Sequence, residues 1–400
     1  MTVRRRRRVL ALLLGAITLV AGCGRVDGTP APAEIDVRAL DVGTYSTTPL
    51  EYRFAYDHSL FGAKRLAAMR LADTMVLGNE IDATFRYSGG KEPILDRQDV
   101  EDVLADVNGP VTERNKLLVG YSIVVSDAEL RGVSNPESTR MGITVLQFPD
   151  AATAERTAAE IDQTDFAVAA DQNQKVSVPN IPAAHAHWRP GVPTLAATLA
   201  RGAYVVVVLA ATPKPELGLL ADLARRGLEN QARLLDSVPP LSGEDALRLP
   251  NDPNGILNRT LNPEADGDPS LLSQASFTRR GMLTQMGKQY ERAQVLDKAY
   301  VDQFAISGVT GSTLMFRAGS AESAQSLGRP VLEWGDYTVP LDAPDVPGVQ
   351  CGARATERAV TLRYRCTVPY QRYLASVESD QVVDVHQRAA AQYALLANTY

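Results

Sequence analysis

A chain of 400 residues with 45% hydrophobic and 22% charged content is long enough for two or three globular domains, each able to bury a core without a structural metal. Disordered and fibrous classes are excluded, and three cysteines are too few for a disulfide scaffold. The net charge is −6, and without the Arg4 to Arg8 segment it becomes −11, 36 basic against 47 acidic residues, which argues against a nucleic-acid partner because that contact needs a basic stripe.

Arg4 to Arg8 form a cationic start, and residues 9–20 are an apolar run too short for a ~20-residue membrane span. Val20-Ala21-Gly22-Cys23 then places two small residues before a cysteine. This resembles a bacterial lipobox, where a peptidase admits extended backbone past small side chains and the cysteine sulfur takes a diacylglyceryl group. The resemblance implies a lipoprotein signal peptide over 1–22, cleavage before Cys23 and lipidation of Cys23. An ordinary secretory signal with a chance cysteine is the plainer alternative. Two acyl chains anchor stably where one is marginal, so the expected location is the outer face of the cell membrane, with the membrane as partner through the lipid on Cys23. Arg7-Arg8 ahead of Val9-Leu10 is loosely like a twin-arginine signal and leaves the export route open. Residues 23–34, with Gly28-Thr29-Pro30-Ala31-Pro32, hold little that packs and read as a lipidated tether.

Mixed helix and strand patterns follow. Residues 60–75 carry Phe61, Leu66, Met69 and Met75 between Lys64, Arg65 and Arg70, a helix with one apolar face, and 97–107 read as another. Strands are expected at 117–125 and 141–148, then a helix from an Asp150 N-cap to 161. The run 203–211 is β-branched in its middle and suits a buried strand, and 216–235 form the longest helix. From Pro239 to Pro269 the chain turns rich in Pro, Asn, Asp and Gly. The domains are therefore set at 35–245 and 271–400, with 246–270 as linker. Once Cys23 is acylated, Cys351 and Cys366 remain in an exported domain with no third thiol, and a disulfide between them is expected, tying a Pro-rich loop to a strand at 361–368. A redox-active pair is the alternative, and usually calls for two-residue spacing.

The second half repeats the order of the first. Thr144-Val145-Leu146-Gln147-Phe148 leading into Ala151-Ala152 matches Thr313-Leu314-Met315-Phe316 leading into Ser320-Ala321. The strand from Ala203 and the helix ending Gln231-Ala232-Arg233-Leu234-Leu235 match Gln371-Arg372-Tyr373-Leu374 and the helix ending Gln392-Tyr393-Ala394-Leu395-Leu396. Residues 60–75 are matched with 289–304. The expected fold class is α+β: two similar antiparallel sheet-plus-helix domains from a duplication, each with helices on one face of its sheet.

The signal and lipobox, Asp252-Pro253-Asn254-Gly255-Ile256-Leu257-Asn258-Arg259-Thr260-Leu261, the Cys351 and Cys366 pair and the closing Gln387-Arg388-Ala389-Ala390-Ala391-Gln392-Tyr393 together resemble an uncharacterised lipoprotein family of mycolic-acid-bearing actinobacteria that carries a two-part domain of unknown function. The likeness spans nearly all of the chain after the signal. It implies a cell-envelope protein and implies no activity.

Catalytic sets are thin. Ser88-Gly89-Gly90-Lys91 has Ser-x-x-Lys spacing, but its glycines break the helical turn that would join hydroxyl to amine. In Asp57-His58-Ser59, consecutive side chains diverge, and Ser59 suits a helix N-cap. His185-Ala186-His187 aligns two imidazoles on one strand face, yet zinc needs further ligands, and the other histidines are His58 and His386. No catalytic residue, cofactor or metal site is expected. Two functions stay in view. One is a non-enzymatic lipoprotein that binds an envelope lipid, glycan or protein. The alternative is an envelope hydrolase or transferase drawing on Asp57, His58, His185 and His187. An apolar groove would favour the first, and a carboxylate converging on an imidazole in a cleft the second.

Overall fold

The computed structural model describes residues 35–51, 59–130, 136–264, 274–308, 312–356 and 362–399. Cys23, Asp57, His58 and the signal and tether expected over 1–34 lie outside them. The architecture is that of the compact unit Arg38–Tyr400.

The first half runs α1 (Leu60–Ala72), β1 (Tyr87–Ile94), α2 (Arg97–Val103), α3 (Gly109–Arg114), β2 (Val119–Ser126), β3 (Arg140–Gln147), α4 (Ala151–Ala167), β4 (Gln174–Lys175), β5 (His185–Trp188), β6 (Thr194–Arg201), β7 (Tyr204–Ala211) and α5 (Leu217–Leu235). The second runs β8 (Gln274–Thr278), α6 (Arg279–Thr284), α7 (Gln289–Lys298), β9 (Gln303–Ser307), β10 (Thr313–Arg317), α8 (Ala321–Glu333), β11 (Val339–Leu341), β12 (Gln350–Ala353), β13 (Tyr364–Tyr370), β14 (Tyr373–Ser379) and α9 (Val382–Asn398). Each half forms one seven-stranded sheet, in the orders β1-β2-β3-β7-β6-β5-β4 and β8-β9-β10-β14-β13-β12-β11. All pairings are antiparallel. Strand for strand the two orders are the same, as the expected duplication requires.

The correspondence extends below topology. Asp150 and Ser320 cap α4 and α8 alike, each accepting the backbone N–H three residues on, from Thr153 at 2.8 Å and Ser323 at 3.1 Å. The β6–β7 and β13–β14 hairpins both close through two residues, the first with positive φ: Gly202 at +54° and Gln371 at 48°. A left-handed first turn residue matches the right-handed twist of the flanking strands, and the second half keeps that geometry without glycine. Gln231 on α5 and Gln392 on α9 are wholly buried and make the same two bonds. Gln231 accepts from the Val76 N–H at 2.9 Å and donates to the Thr74 carbonyl at 3.0 Å. Gln392 accepts from Leu261 at 2.8 Å and donates to Arg259 at 2.8 Å. Each amide thus satisfies a donor and an acceptor two residues apart on the segment leading into its sheet, groups that burial would otherwise leave unpaired.

Two sequence expectations are corrected. Residues 289–304 do not correspond to 60–75: α7 lies between β8 and β9, in the place α3 takes in the first half, whereas α1 precedes β1. Through the glutamine clamps, the segment after α1 pairs with Arg259 to Leu261 instead. Helices also cover both faces of the sheets. Val206 and Val208 of β7 share a core with Leu220, Leu223 and Leu228 of α5, while Val205 and Val207 pack with Ala154, Ala158 and Ile161 of α4. In the second half, Leu327 and Val331 of α8 join Phe316 and Leu374, and α9 reaches the other face, where the Tyr393 ring meets Tyr370 edge-on at 5.2 Å.

The halves share one core. Leu71 of α1, Met75 just after it, Leu220 of α5, Met282 and Leu283 of α6, and Phe316 of β10 belong to a single apolar cluster. Residues 246–264 are anchored rather than free: Asp252 is buried, and its carboxylate accepts from Ile256 N at 2.8 Å and Asn258 N at 3.0 Å. Arg70 of α1 donates to the Pro250 carbonyl at 2.8 Å. Burial raises the Asp252 pKa more than these backbone donors lower it.

Cys351 of β12 and Cys366 of β13 are register partners and are joined by a disulfide. Their separation in sequence is 15 residues. Replacing both with Ser is expected to lower stability by about 3 kcal/mol through restored freedom of the unfolded loop, read from urea unfolding midpoints; a difference under ~1 kcal/mol would contradict it.

Candidate functional site

A cavity of about 710 Å³ lies where the first sheet meets helices of the second half. One wall is β1 and β2 with the loop after β2, from Ser88 to Gly90, Val124 and Leu130; the other is the start of α7 and the end of α8, from Gly287 to Val295 and Pro330 to Trp334. The β1 wall is shaped by a register shift between Gly89 and Glu92. Gly90 sits at φ +53°, and a Cβ there would stand 2.8 Å from Val124 Cγ2, so the bulge needs glycine. On and just before the bulge, β1 is sewn to the second half. Ser88 donates through N–H to the Gly287 carbonyl and through its hydroxyl to the Met286 carbonyl, both at 2.9 Å, and Lys91 donates to the Gln285 carbonyl at 2.7 Å. The Ser-x-x-Lys residues are thus fasteners to the second half's backbone, the hydroxyl and the amine on different carbonyls.

The opposite wall carries a desolvated cation. Arg292 donates to the Trp334 carbonyl at 3.3 Å, its guanidinium is 5.4 Å from the centre of the Trp334 ring, and its Nε is buried with no partner among the described residues. Burial first, then the Arg365 guanidinium, pushes the Arg292 pKa below its ordinary value. Lys288 is the second cation of the lining, against carboxylates from Glu129, Glu291, Glu333 and Asp336. Glu333 is paired with Arg329 at 2.8 Å.

Behind Trp334, a buried network fixes the end of α8. Arg365 pairs with Glu378 and donates to the Val331 carbonyl at 2.8 Å. The Tyr337 ring lies between two guanidiniums, Arg365 at 4.3 Å and Arg354 at 4.4 Å, with its hydroxyl 2.9 Å from Glu378. Burial, then the Glu378 charge, pushes the Tyr337 pKa up to about 12, so the phenol keeps its proton and bridges as a donor.

The remaining sequence candidates are dispersed. Ser59 caps α1, accepting from Gly62 N at 3.0 Å. His185 is exposed on β5. His187 Nδ1 lies 2.8 Å from Asp162 of α4, whose other oxygen pairs with Lys175, and the Phe166 ring meets the imidazole edge-on at 6.0 Å. Burial raises the Asp162 pKa, but the bonds from His187 and Lys175 together bring it below the usual value. These contacts tie β4 and β5 to α4. His386 stands on α9 beside the disulfide. Sequence reading missed Arg292 and Trp334 as cavity residues, and no motif in the sequence marks either.

Fold and seam define a class: a duplicated α+β protein whose halves share a core and enclose a cavity between them. The chain belongs to the family described as Domain of unknown function (DUF7373), with the N-terminal model matching residues 55–251 and the C-terminal model residues 256–399. None of the curated proteins compared with it matches. Among solved structures, the extracellular domain of PknH from Mycobacterium tuberculosis is similar at 13% identity and a TM-score of 0.30, over 48% of this chain and 98% of that one. Among the described residues, no helix is long and apolar enough to cross a membrane.

Proposed function

We propose that this protein is an exported lipoprotein of the actinobacterial envelope, held at the outer face of the cell membrane by acyl chains on Cys23, that binds an envelope lipid, glycan or protein without catalysis. The seam cavity carries this reading. Its volume of about 710 Å³ falls within the range of about 300–1,000 Å³ usual for small-molecule pockets. An indole beside a guanidinium, with carboxylates in the lining, suits a glycan best, because sugars offer apolar faces to aromatics and hydroxyls to charged groups. The acidic net charge supports the absence of a nucleic-acid partner.

The chain has two tryptophans, so Trp188→Phe leaves Trp334 as the single indole reporter. Oligosaccharide fragments of the envelope are expected to change its emission saturably, with the response lost in the added variant Arg292→Leu. No saturable response, or one unchanged by Arg292→Leu, would remove the cavity as the site. For the anchor, Cys23→Ala is expected to move the protein from the membrane fraction to the soluble or unprocessed pool. Processing before residue 23 with membrane retention in that variant would defeat the lipobox reading.

The second reading, an envelope hydrolase or transferase, has the Asp162 and His187 pair in its favour, a carboxylate on an imidazole as a general base requires. Turnover of an envelope ester or glycoside that disappears in His187→Ala would move the balance to it.

A further inference from the structure

Three groups with metal-ligating chemistry converge in the second half, away from the residues that line the seam cavity. An imidazole nitrogen of His386 and the sulfurs of Cys351 and Cys366 all lie within 4.8 Å of one another. His386 Nε2 is buried with no hydrogen-bond partner among the described residues. A buried imidazole nitrogen without a partner carries a desolvation cost that the fold does not repay. Cys366 is wholly buried and Cys351 is 9% exposed, so the pair sits under a thin cover on the β12 side.

We propose that Cys351, Cys366 and His386 form a reduction-gated metal site, closed as the disulfide and able to take one Zn²⁺ when the bridge is opened. A tetrahedral ion with bonds of ~2.3 Å to sulfur and ~2.0 Å to nitrogen holds its ligand atoms roughly 3.5–3.8 Å apart, so the sulfurs, bonded in the closed state, must swing apart on reduction, while the imidazole nitrogen is already within 4.8 Å of both. Two thiolates and an imidazole suit a thiophilic d¹⁰ ion over hard cations, and the fourth position is left to water. Opening needs a dithiol or phosphine. A phosphine gives its electron pair to the disulfide and takes the oxygen of one water, whose two hydrogens end on the sulfurs. Zn²⁺ then displaces the two thiol protons.

The test uses the purified protein, oxidised or reduced with a trialkylphosphine, titrated with Co²⁺ and then Zn²⁺. The reduced protein is expected to bind one Co²⁺ with intense thiolate-to-cobalt absorption that Zn²⁺ abolishes, and the oxidised protein to show none. His386→Phe retains the disulfide and is expected to weaken binding by at least ~100-fold, the upper end of what loss of an outer hydrogen-bond partner costs. If reduction unfolds the chain, Zn²⁺ is expected to refold the reduced wild type and not reduced His386→Phe. No cobalt absorption without refolding, equal affinity in His386→Phe, or equal binding to the oxidised protein would each overturn the proposal. Retained binding in the Cys351→Ser, Cys366→Ser protein would do the same.

Discussion

Arg365→Met is expected to destabilise the protein by about 3–5 kcal/mol, the usual cost of removing one partner from a buried ion pair. The side chains of Arg365 and Glu378 are 9% and 12% exposed, so the Glu378 charge cannot recover its hydration when the guanidinium is gone. Two further losses accompany it: the bond to the Val331 carbonyl, which ties β13 to the end of α8, and one of the two cations against the Tyr337 ring. Removing both charges in Arg365→Met with Glu378→Leu is expected to cost much less than Arg365→Met alone, because no uncompensated charge remains. Urea unfolding of the two singles and the double measures the coupling. A single variant within ~1 kcal/mol of wild type would show that water reaches the pair and that the network does not hold α8.

The second large effect lies in the glutamine clamps. Gln392→Leu keeps the volume but strands the Leu261 N–H and the Arg259 carbonyl, each at about 1–3 kcal/mol, so a loss of about 2–6 kcal/mol is expected. Gln231→Leu strands Val76 and Thr74 in the same way, and the two losses are expected to agree to within ~1 kcal/mol if the clamps are equivalent. Gln→Glu at either position keeps the acceptor and removes the donor, placing a carboxylate against a carbonyl, and is expected to be worse than Leu. Amide exchange reports each site locally: Val76 and Leu261 are protected in the wild type, and each is expected to exchange fast only in its own variant. Protection that persists in both Leu variants would mean that water already serves these groups.

The fold class was readable because local and global signals agree. Asp150 and Ser320 announce helix starts after strands of similar pattern, and a strand-then-helix unit repeated twice in each half leaves few topologies. The covering of both sheet faces was also present in the sequence. Tyr204 to Ala211 is apolar at nearly every position, the mark of a strand buried on both sides, whereas a sheet with one solvated face alternates. The mistaken match of 60–75 with 289–304 has a different cause, since helical periodicity records which face is apolar and not which strand comes before. Arg292 and Trp334 were out of reach for a tertiary reason: they stand 42 residues apart, and their common wall exists only once α7 and α8 pack side by side. His386 likewise acquires its cysteine neighbours only when α9 packs on β13 and β14.

The strand ends of the two sheets bear on how such molecules behave when crowded. An outer strand with unpaired N–H and C=O groups is a template on which another chain can add. Each half ends one side of its sheet in a stub, Gln174-Lys175 in β4 and Val339-Pro340-Leu341 in β11, one bearing a lysine and the other a proline that has no N–H to offer. On the opposite side, the Ser88 N–H of β1 is taken by Gly287, and Thr278 at the end of β8 gives its N–H to Asp73 at 2.8 Å. Each sheet thus meets a second molecule with a short stub on one side and with an edge already fastened to its own chain on the other, which limits the backbone free for sheet growth.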